Sequence, residues 1–150
     1  MSSLSIPSSV GHLTIDADSE TIVGVRWADD PHGEPTPLLR EAARQLEAYF
    51  AGALTAFDLP LKPRGSAFQQ KVWAAMRAIP YGQTRSYAEL ADAVDSGPRA
   101  IGGACGKNPI PVIVPCHRVL SRGGIGGYSG GEGLPTKLIL LALEGARLPS

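Results

Sequence analysis

Residues 86–106 read Ser-Tyr-Ala-Glu-Leu-Ala-Asp-Ala-Val-Asp-Ser-Gly-Pro-Arg-Ala-Ile-Gly-Gly-Ala-Cys-Gly. Ser86 and Glu89 form a capping-box pattern, in which the serine hydroxyl takes the third helical amide and the glutamate reaches back to the cap amide. That pattern starts a short helix carrying Leu90 and Val94. Ser96-Gly97-Pro98 then turns the chain, and Pro98 opens a second short helix that runs to about Gly106. Two short helices around a tight turn predict a helix-turn-helix. In the second helix Gly102, Gly103 and Gly106 stand among Ala100 and Ala104, and each mid-helix glycine costs about 1 kcal/mol relative to alanine. Close approach of the helix backbone to another surface would offset that cost, whether the surface is a neighbouring helix or a nucleic-acid groove.

Upstream, Ser66 and Gln69 repeat the capping box ahead of Phe68, Val72 and Met76, and Pro80 to Gly82 ends that helix. Leu59 to Gly65, with two prolines and a glycine, reads as an extended linker and marks the boundary between domains over residues 1–63 and 64–150. In the first of these, residues 12–27 alternate as a hairpin, with Leu13 and Ile15 before a turn at Asp16 to Glu20 and Ile22 to Trp27 after it. Thr36 followed by Pro37 starts a helix whose apolar stripe is Leu39, Ala43, Leu46 and Phe50. Downstream, Thr136 to Glu144 is apolar on several faces, which predicts a buried helix closed by Gly145. The fold class is therefore α+β. A small antiparallel-sheet-plus-helix domain is followed by a mainly helical, winged-helix-like domain containing the helix-turn-helix.

With 43% hydrophobic and 19% charged residues, the chain has the composition of an ordinary globular protein and does not suggest disorder. No basic, apolar leader stands at Met1-Ser-Ser-Leu-Ser-Ile-Pro, and no stretch approaches the ~18 apolar residues needed to span a bilayer, so an intracellular, cytoplasmic protein without a membrane partner is expected. The formal net charge is zero, yet it is unevenly divided. Residues 1–63 carry four basic against nine acidic side chains, a charge of −5, and residues 64–150 carry ten against five, a charge of +5. A basic half is what binding a phosphate backbone through one face requires, although a solvated surface can show the same asymmetry. The two cysteines, Cys105 and Cys116, lack the CxxC or HxxxH companions of a metal site, and His12 and His32 are scattered. Neither metal nor cofactor is expected.

Cys116 sits directly beside His117 and Arg118. A thiol attacks as its thiolate, so an adjacent imidazole and a cation suit a nucleophile. The pair alone also fits an inert buried cysteine, because neighbouring side chains of an extended chain point apart.

Pro115-Cys-His-Arg-Val119 closely resembles the active-site signature of the O6-alkylguanine-DNA alkyltransferases, also called methylated-DNA–protein-cysteine methyltransferases. The resemblance extends through Ser86-Tyr-Ala-Glu-Leu-Ala91, Arg99-Ala-Ile-Gly-Gly-Ala104, Asn108-Pro109, Gly127-Tyr-Ser-Gly-Gly131 and Leu143-Glu-Gly145, in the family order and near its spacing. It implies a ribonuclease-H-like support domain over 1–63 and a DNA-binding, alkyl-accepting domain over 64–150. It also implies direct-reversal repair, in which an alkyl group passes irreversibly from O6-alkylguanine in duplex DNA to Cys116 after base flipping, with O4-alkylthymine left open as a further substrate. Some relatives carry a structural zinc in the N-terminal part, but residues 1–104 contain no cysteine, so that feature is not carried over.

The same resemblance assigns roles. Cys116 is the nucleophile, and Glu144 orients His117, which takes the thiol proton through a water. Tyr87 donates to the departing guanine. Tyr87, Val119 through its carbonyl, Tyr128 and Ser129 hold the base, while Asn108 and Lys137 brace the nucleophile loop. Arg99 enters the base stack from the second helix of the helix-turn-helix, which docks in the minor groove, and Ser96, Gln69 and Arg122 are candidate backbone contacts. The protein is expected to act as a monomer on double-stranded DNA. Gly127 departs from the asparagine of some relatives and bears on how bulky an adduct fits. Three rival readings stay open: a non-enzymatic alkyltransferase-like lesion binder, whose nucleophile is typically replaced, a helix-turn-helix transcriptional regulator, and a papain-like protease, which the adjacent Cys-His pair and the chain length fit poorly.

Overall fold

Ser66 and Ser86 both cap helices as reciprocal boxes. Gln69 N–H donates to Ser66 Oγ at 3.1 Å and Ser66 N–H to Gln69 Oε1 at 2.9 Å, while Glu89 N–H donates to Ser86 Oγ at 3.0 Å and Ser86 N–H to Glu89 Oε1 at 2.9 Å. These local signals set the helix starts in a computed structural model that describes residues 1–121 and 124–147. The chain divides into two compact units, Met1–Arg64 and Gly65–Ser150.

In the first unit, β1 (Ser2–Ile6), β2 (Leu13–Ala17) and β3 (Ile22–Trp27) form an antiparallel sheet in that order, with Leu4 opposite Ile15 and Ile15 opposite Val25. The expected hairpin is thus β2 and β3, and β1 adds a third strand. The helix α1 (Pro37–Phe50) is capped by Thr36 and buries Leu39, Ala42, Ala43, Leu46 and Tyr49. Tyr49, not Phe50, completes the buried stripe. Residues 60–62 are not a free linker: Ile22 N–H donates to Pro60 O and Lys62 N–H to Ile22 O, both at 2.8 Å, laying this segment alongside β3.

The second unit contains α2 (Ala67–Arg77), α3 (Tyr87–Ala93), α4 (Pro98–Gly106) and α5 (Leu134–Leu143), with a two-residue parallel ladder between β4 (Arg85–Ser86) and β5 (Val119–Leu120). The helix-turn-helix is α3 and α4. Its reversal begins one residue earlier than the Ser96-Gly97-Pro98 signal: Asp95 takes φ +57°, Asp95 N–H bonds Asp92 O and Ser96 N–H bonds Ala91 O, a Schellman ending in a conformation that aspartate tolerates. Trp73 of α2 is buried and donates from Nε1 to Ala104 O at 2.9 Å, which ties α2 to α4. α5 departs from the expectation of a fully buried helix, since Leu134, Leu138 and Ile139 are exposed. It also starts at Leu134, two residues before the expected Thr136.

Gly65 lies against the Trp73 indole, where an added Cβ would come within 2.6 Å of both Trp73 Cζ3 and Gln69 Oε1. Both neighbours are fixed, one by burial and one by its cap. Gly65→Ala is therefore expected to destabilise the protein by about 1–3 kcal/mol through overpacking, read as a lower urea midpoint at unchanged m-value.

Candidate active site

The loop leading to Cys116 is built by Asn108. Its Oδ1 accepts from Ile110 N–H at 3.0 Å, its Nδ2 donates to Val114 O at 2.9 Å, and the same nitrogen lies 3.3 Å from Cys116 Sγ. Val114 N–H closes the turn on Ile110 O at 2.8 Å. Inside it, buried Val112 adopts φ +73°, a left-handed conformation that a β-branched residue rarely takes and that costs of order 1–3 kcal/mol. The asparagine and the apolar burial of Val112, Ile113 and Val114 hold this conformation and deliver Cys116 at the start of a single 3₁₀ turn, Cys116–Arg118.

Because that turn is helical, Cys116 and His117 do not simply point to opposite faces of an extended chain. His117 is fully buried, and its Nε2 lies 2.8 Å from Glu144 Oε2. Glu144 caps α5, and Gly145 follows at φ +67°. A carboxylate at the negative end of a helix and out of water needs compensation. It receives more than His117 alone provides. Arg118 Nε donates to Glu144 Oε1 at 2.8 Å and Nη2 to Oε2 at 3.0 Å, while Nη1 donates to Ile79 O at 2.7 Å and the guanidinium carbon sits 5.8 Å from the Tyr81 ring centroid. Sequence reasoning gave Arg118 to the thiol. The structure gives it to the carboxylate, and the cation that favours the Cys116 thiolate is Lys137.

Lys137 is buried on α5, donating from Nζ to Val119 O at 2.7 Å and to Gly127 O at 3.0 Å. Burial lowers its pKa to about 8. Burial likewise pushes the Cys116 thiol up, against the opposing hydrogen bond from Asn108 and the charge of Lys137, and pushes the His117 imidazole down, against the pull of Glu144. At neutral pH the resting pair is a thiol and a neutral imidazole. The hydrogen bond to Glu144 makes Nε2 the protonated nitrogen and leaves Nδ1 as the acceptor. Buried Nδ1 has no hydrogen-bond partner among the described residues.

Cys116 opens on a cavity of about 340 Å³ lined by Tyr87, Gly102, Cys105, Gly106, Cys116, Gly127, Tyr128 and Ser129. The structure thus brings together four residues expected in the site, Cys116, Tyr87, Tyr128 and Ser129. Val119 lies behind them, its carbonyl held by Lys137. Burial raises the phenol pKa of both Tyr87 and Tyr128, so both remain protonated donors at neutral pH. Gly126 at φ +75° lets the loop pass Tyr87, since a Cβ there would lie 3.2 Å from Tyr87 Cε2 and 3.0 Å from Ser121 N. Cys105, Gly102 and Gly106 were not expected in this wall. A residue's spacing to the nearest turn of α4 gives no sign that it meets a loop ten or more positions away.

Arg99 and Ser96 are exposed at the start of α4, and Gly97 rather than Ser96 is its cap residue. Gln69 commits its Oε1 to the α2 cap, and Arg122 lies outside the described residues. Among the described residues, a Cβ at Gly97, Gly102, Gly103 or Gly106 would meet nothing within 4 Å. Among the described residues no neighbouring helix accounts for these glycines of α4. Among the described residues, no group of three or more His, Cys, Asp or Glu is placed to hold a metal ion, and no helix is long and apolar enough to cross a membrane.

Residues 4–63 match the 6-O-methylguanine DNA methyltransferase ribonuclease-like domain, and residues 67–146 match the 6-O-methylguanine DNA methyltransferase DNA binding domain. The chain is 44% identical to a methylated-DNA–protein-cysteine methyltransferase of Mycobacterium bovis, over 97% of this chain and 93% of the relative. The chain belongs to the methylated-DNA–protein-cysteine methyltransferase family. A relative of the same name from Methanosarcina acetivorans is 43% identical over 93% of this chain and 95% of its own length. The Mycobacterium tuberculosis OGT crystallised in complex with DNA superposes on this methyltransferase-family chain with a TM-score of 0.84 at 46% identity, covering 97% of this chain and 94% of that one. The sheet-then-helices fold is that of this family.

The lowered pKa of His117 carries a sign. The native imidazole binds fewer protons than the unfolded one below the ordinary value of 6.5, so stability is retained above that pH and lost as pH falls through it. Melting temperature measured from pH 8 to pH 5 is expected to drop on the acid side, with the His117 ring signal in NMR remaining that of the neutral imidazole at pH 6.5. A His117 ring already charged at that pH would contradict this reading.

Proposed function

We propose that this protein repairs DNA by direct reversal, transferring the alkyl group of O6-alkylguanine in duplex DNA to Cys116 in a single irreversible turnover. The reading is carried by one juxtaposition: a thiol opening on a cavity walled by two protonated phenols, with a Glu144–His117 pair one residue along the chain. It is supported by family membership and by the likeness to a relative crystallised with DNA. The Cys116 sulfur attacks the saturated carbon on O6, the carbon–oxygen bond breaks, and its electrons pass to guanine. The thiol proton goes through a water to His117 Nδ1. Glu144 holds Nε2–H and stabilises the imidazolium that forms, while Arg118 keeps the carboxylate aimed through its two hydrogen bonds. Tyr87 donates to the ring as negative charge builds there, and Tyr128, Ser129 and the Val119 carbonyl, which keeps a second lone pair beyond Lys137, read the extruded base. Asn108 and Lys137 position the loop. The product is a thioether that nothing in the cavity is equipped to cleave.

On this reading α4 enters the minor groove. Its open glycine face suits close approach of a phosphate-lined surface, and Arg99 at its start fills the stack left by the flipped nucleotide, with Ser96, Gln69 and Arg122 near the backbone. Residues 64–150 are then the DNA-binding and alkyl-accepting domain and residues 1–63 its support. We place the protein in the cytoplasm, associated with the nucleoid in a prokaryote, because its substrate is chromosomal DNA and its two cysteines are free thiols.

Mixing the protein with an oligonucleotide containing one O6-methylguanine is expected to add one methyl group per molecule, mapped by peptide mass to Cys116 and absent from Cys116→Ala. Tight lesion binding without a mass change would make the protein a lesion-recognition module, and sequence-specific binding without transfer a regulator. Gly103→Leu separates folding from docking. It is expected to leave the fold as stable or raise its stability by up to about 1 kcal/mol through helix propensity. Its affinity for duplex DNA should nevertheless fall by about tenfold or more, equivalent to at least ~1.4 kcal/mol. Unchanged affinity in a gel-shift titration would remove α4 from the interface.

A further inference from the structure

The chain has two cysteines, both free, and both line the same cavity. Cys116 comes from the 3₁₀ turn and Cys105 from the last turn of α4, eleven positions earlier, so their meeting is a product of the fold. The two cavity residues flanking Cys105 on its helix, Gly102 and Gly106, present no side chain, and Cys105 is partly exposed where Cys116 is buried. Lys137 is a cationic neighbour of both sulfurs. The proposed alkyl transfer uses only one of them.

We propose that Cys105 is the resolving thiol of a reversible redox lock, which converts a hydroperoxide-oxidised Cys116 into a Cys105–Cys116 disulfide and so spares the nucleophile from irreversible oxidation. In the first step the Cys116 sulfur attacks the peroxide oxygen, the oxygen–oxygen bond breaks, and Cys116 sulfenic acid forms with release of an alcohol, or of water from hydrogen peroxide. In the second, the Cys105 sulfur attacks the sulfenic sulfur, the sulfur–oxygen bond breaks, and the departing hydroxide leaves as water with the Cys105 proton. Two thiols and one hydroperoxide thus yield one disulfide, one alcohol and one water. Burial holds the Cys105 thiol up at about 12, so it carries that proton at neutral pH and delivers it to the departing hydroxide.

The physical motive is the single use of Cys116. A sulfenic acid left alone proceeds to sulfinic and sulfonic acids that thiols cannot reduce, whereas a disulfide is returned to two thiols by exchange with a reducing dithiol. Cys105 lies next to the end of α4, where Lys107 N–H bonds Ala104 O and Asn108 N–H bonds Cys105 O. Helix ends yield more readily than helix centres, so the sulfurs can close to bonding distance there. The locked state occupies the base-binding cavity and accepts no alkyl group until reduced.

The inference rests on Cys116 as the reactive thiol and not on alkyl transfer, so its test has a readout of its own. The full chain is treated with hydrogen peroxide at a few equivalents and digested with trypsin without reduction, which cuts after Lys107, between the two cysteines. Expected is loss of two hydrogens from the intact mass and a linked pair of peptides joining Cys105 to Cys116. Dithiothreitol should separate the pair and restore methyl acceptance from O6-methylguanine DNA. Cys105→Ser should instead accumulate two or three oxygens on Cys116, and its methyl acceptance, taken relative to its own untreated level, should not return on reduction. The proposal is overturned if the wild-type chain yields no Cys105–Cys116 pair, whether Cys116 is unchanged or over-oxidised, or if Cys105→Ser recovers as completely as the wild type. Linkage without any methyl acceptance before oxidation would refute the alkyl-transfer reading and leave the lock standing.

Discussion

The buried carboxylate of Glu144 is the constraint around which the second unit is organised. It sits where the dipole of α5 is negative, and an ionised carboxylate out of water without partners costs several kcal/mol. Arg118 and His117, adjacent on a 3₁₀ turn, converge on it from one side of the chain. Through the third arm of the Arg118 guanidinium to Ile79 O, the same charge fixes the chain just beyond α2. One ion cluster therefore locks α5, the Cys116–Arg118 turn and the exit of α2 into a single arrangement. Displacing any of the three would leave a buried charge uncompensated, so the imidazole is held in one tautomer and one orientation without a dedicated scaffold of its own.

A second constraint acts on the other side of Cys116. The loop from Asn108 to Pro115 stores strain at Val112, and that strain persists because Asn108 satisfies the loop's backbone groups and because three consecutive apolar side chains are buried. The same asparagine nitrogen reaches the sulfur. The two constraints meet at one residue. The thiol is positioned from the loop by a neutral amide, and its neighbour is positioned from the helix end by a charge, so the two adjacent side chains are held by separate networks.

What the sequence reveals here is what local chemistry decides. The capping boxes at Ser66 and Ser86, the Thr36-Pro37 start of α1 and the bounds of α4 are read from neighbours within a few positions, and they recur in the structure. β1 escapes such reading because Ser2-Ser-Leu-Ser-Ile6 offers only two apolar residues in a short segment rich in serine, and it is held as a strand by pairing with β2. The reversal at Asp95 is hidden by the stronger Gly-Pro signal beside it. Around the site, the Glu144–His117 contact follows from the resemblance, but the role of Arg118 does not follow from adjacency to Cys116, since its partner lies 26 positions away. Cys105 is invisible for the same reason: only the fold, which brings the last turn of α4 and the Cys116–Arg118 turn to one cavity, puts it beside Cys116. The face of α5 bearing Leu134, Leu138 and Ile139 shows the limit of composition as a guide, because an all-round apolar helix need not be buried all round.

If Cys116 is the alkyl acceptor, as proposed, the resting protonation states bear on why such a site stores an unionised nucleophile. A permanently ionised thiolate would be the faster attacker, and also the faster victim of any electrophile or oxidant that reached it. Burial raises the pKa of Cys116 and lowers that of His117, so each opposes the ion pair that attack requires. Glu144, Lys137 and Asn108 oppose burial, and so reduce the cost of forming that pair without forming it in advance. In an acceptor that regenerates nothing, selectivity for the right electrophile is worth more than turnover speed. An extruded base filling the cavity would exclude water and align the carbon with the sulfur, and these two effects would favour attack just where the resting state withholds it. The site is then gated by its substrate, and the energetic opposition between burial and the Glu144 cluster is the gate.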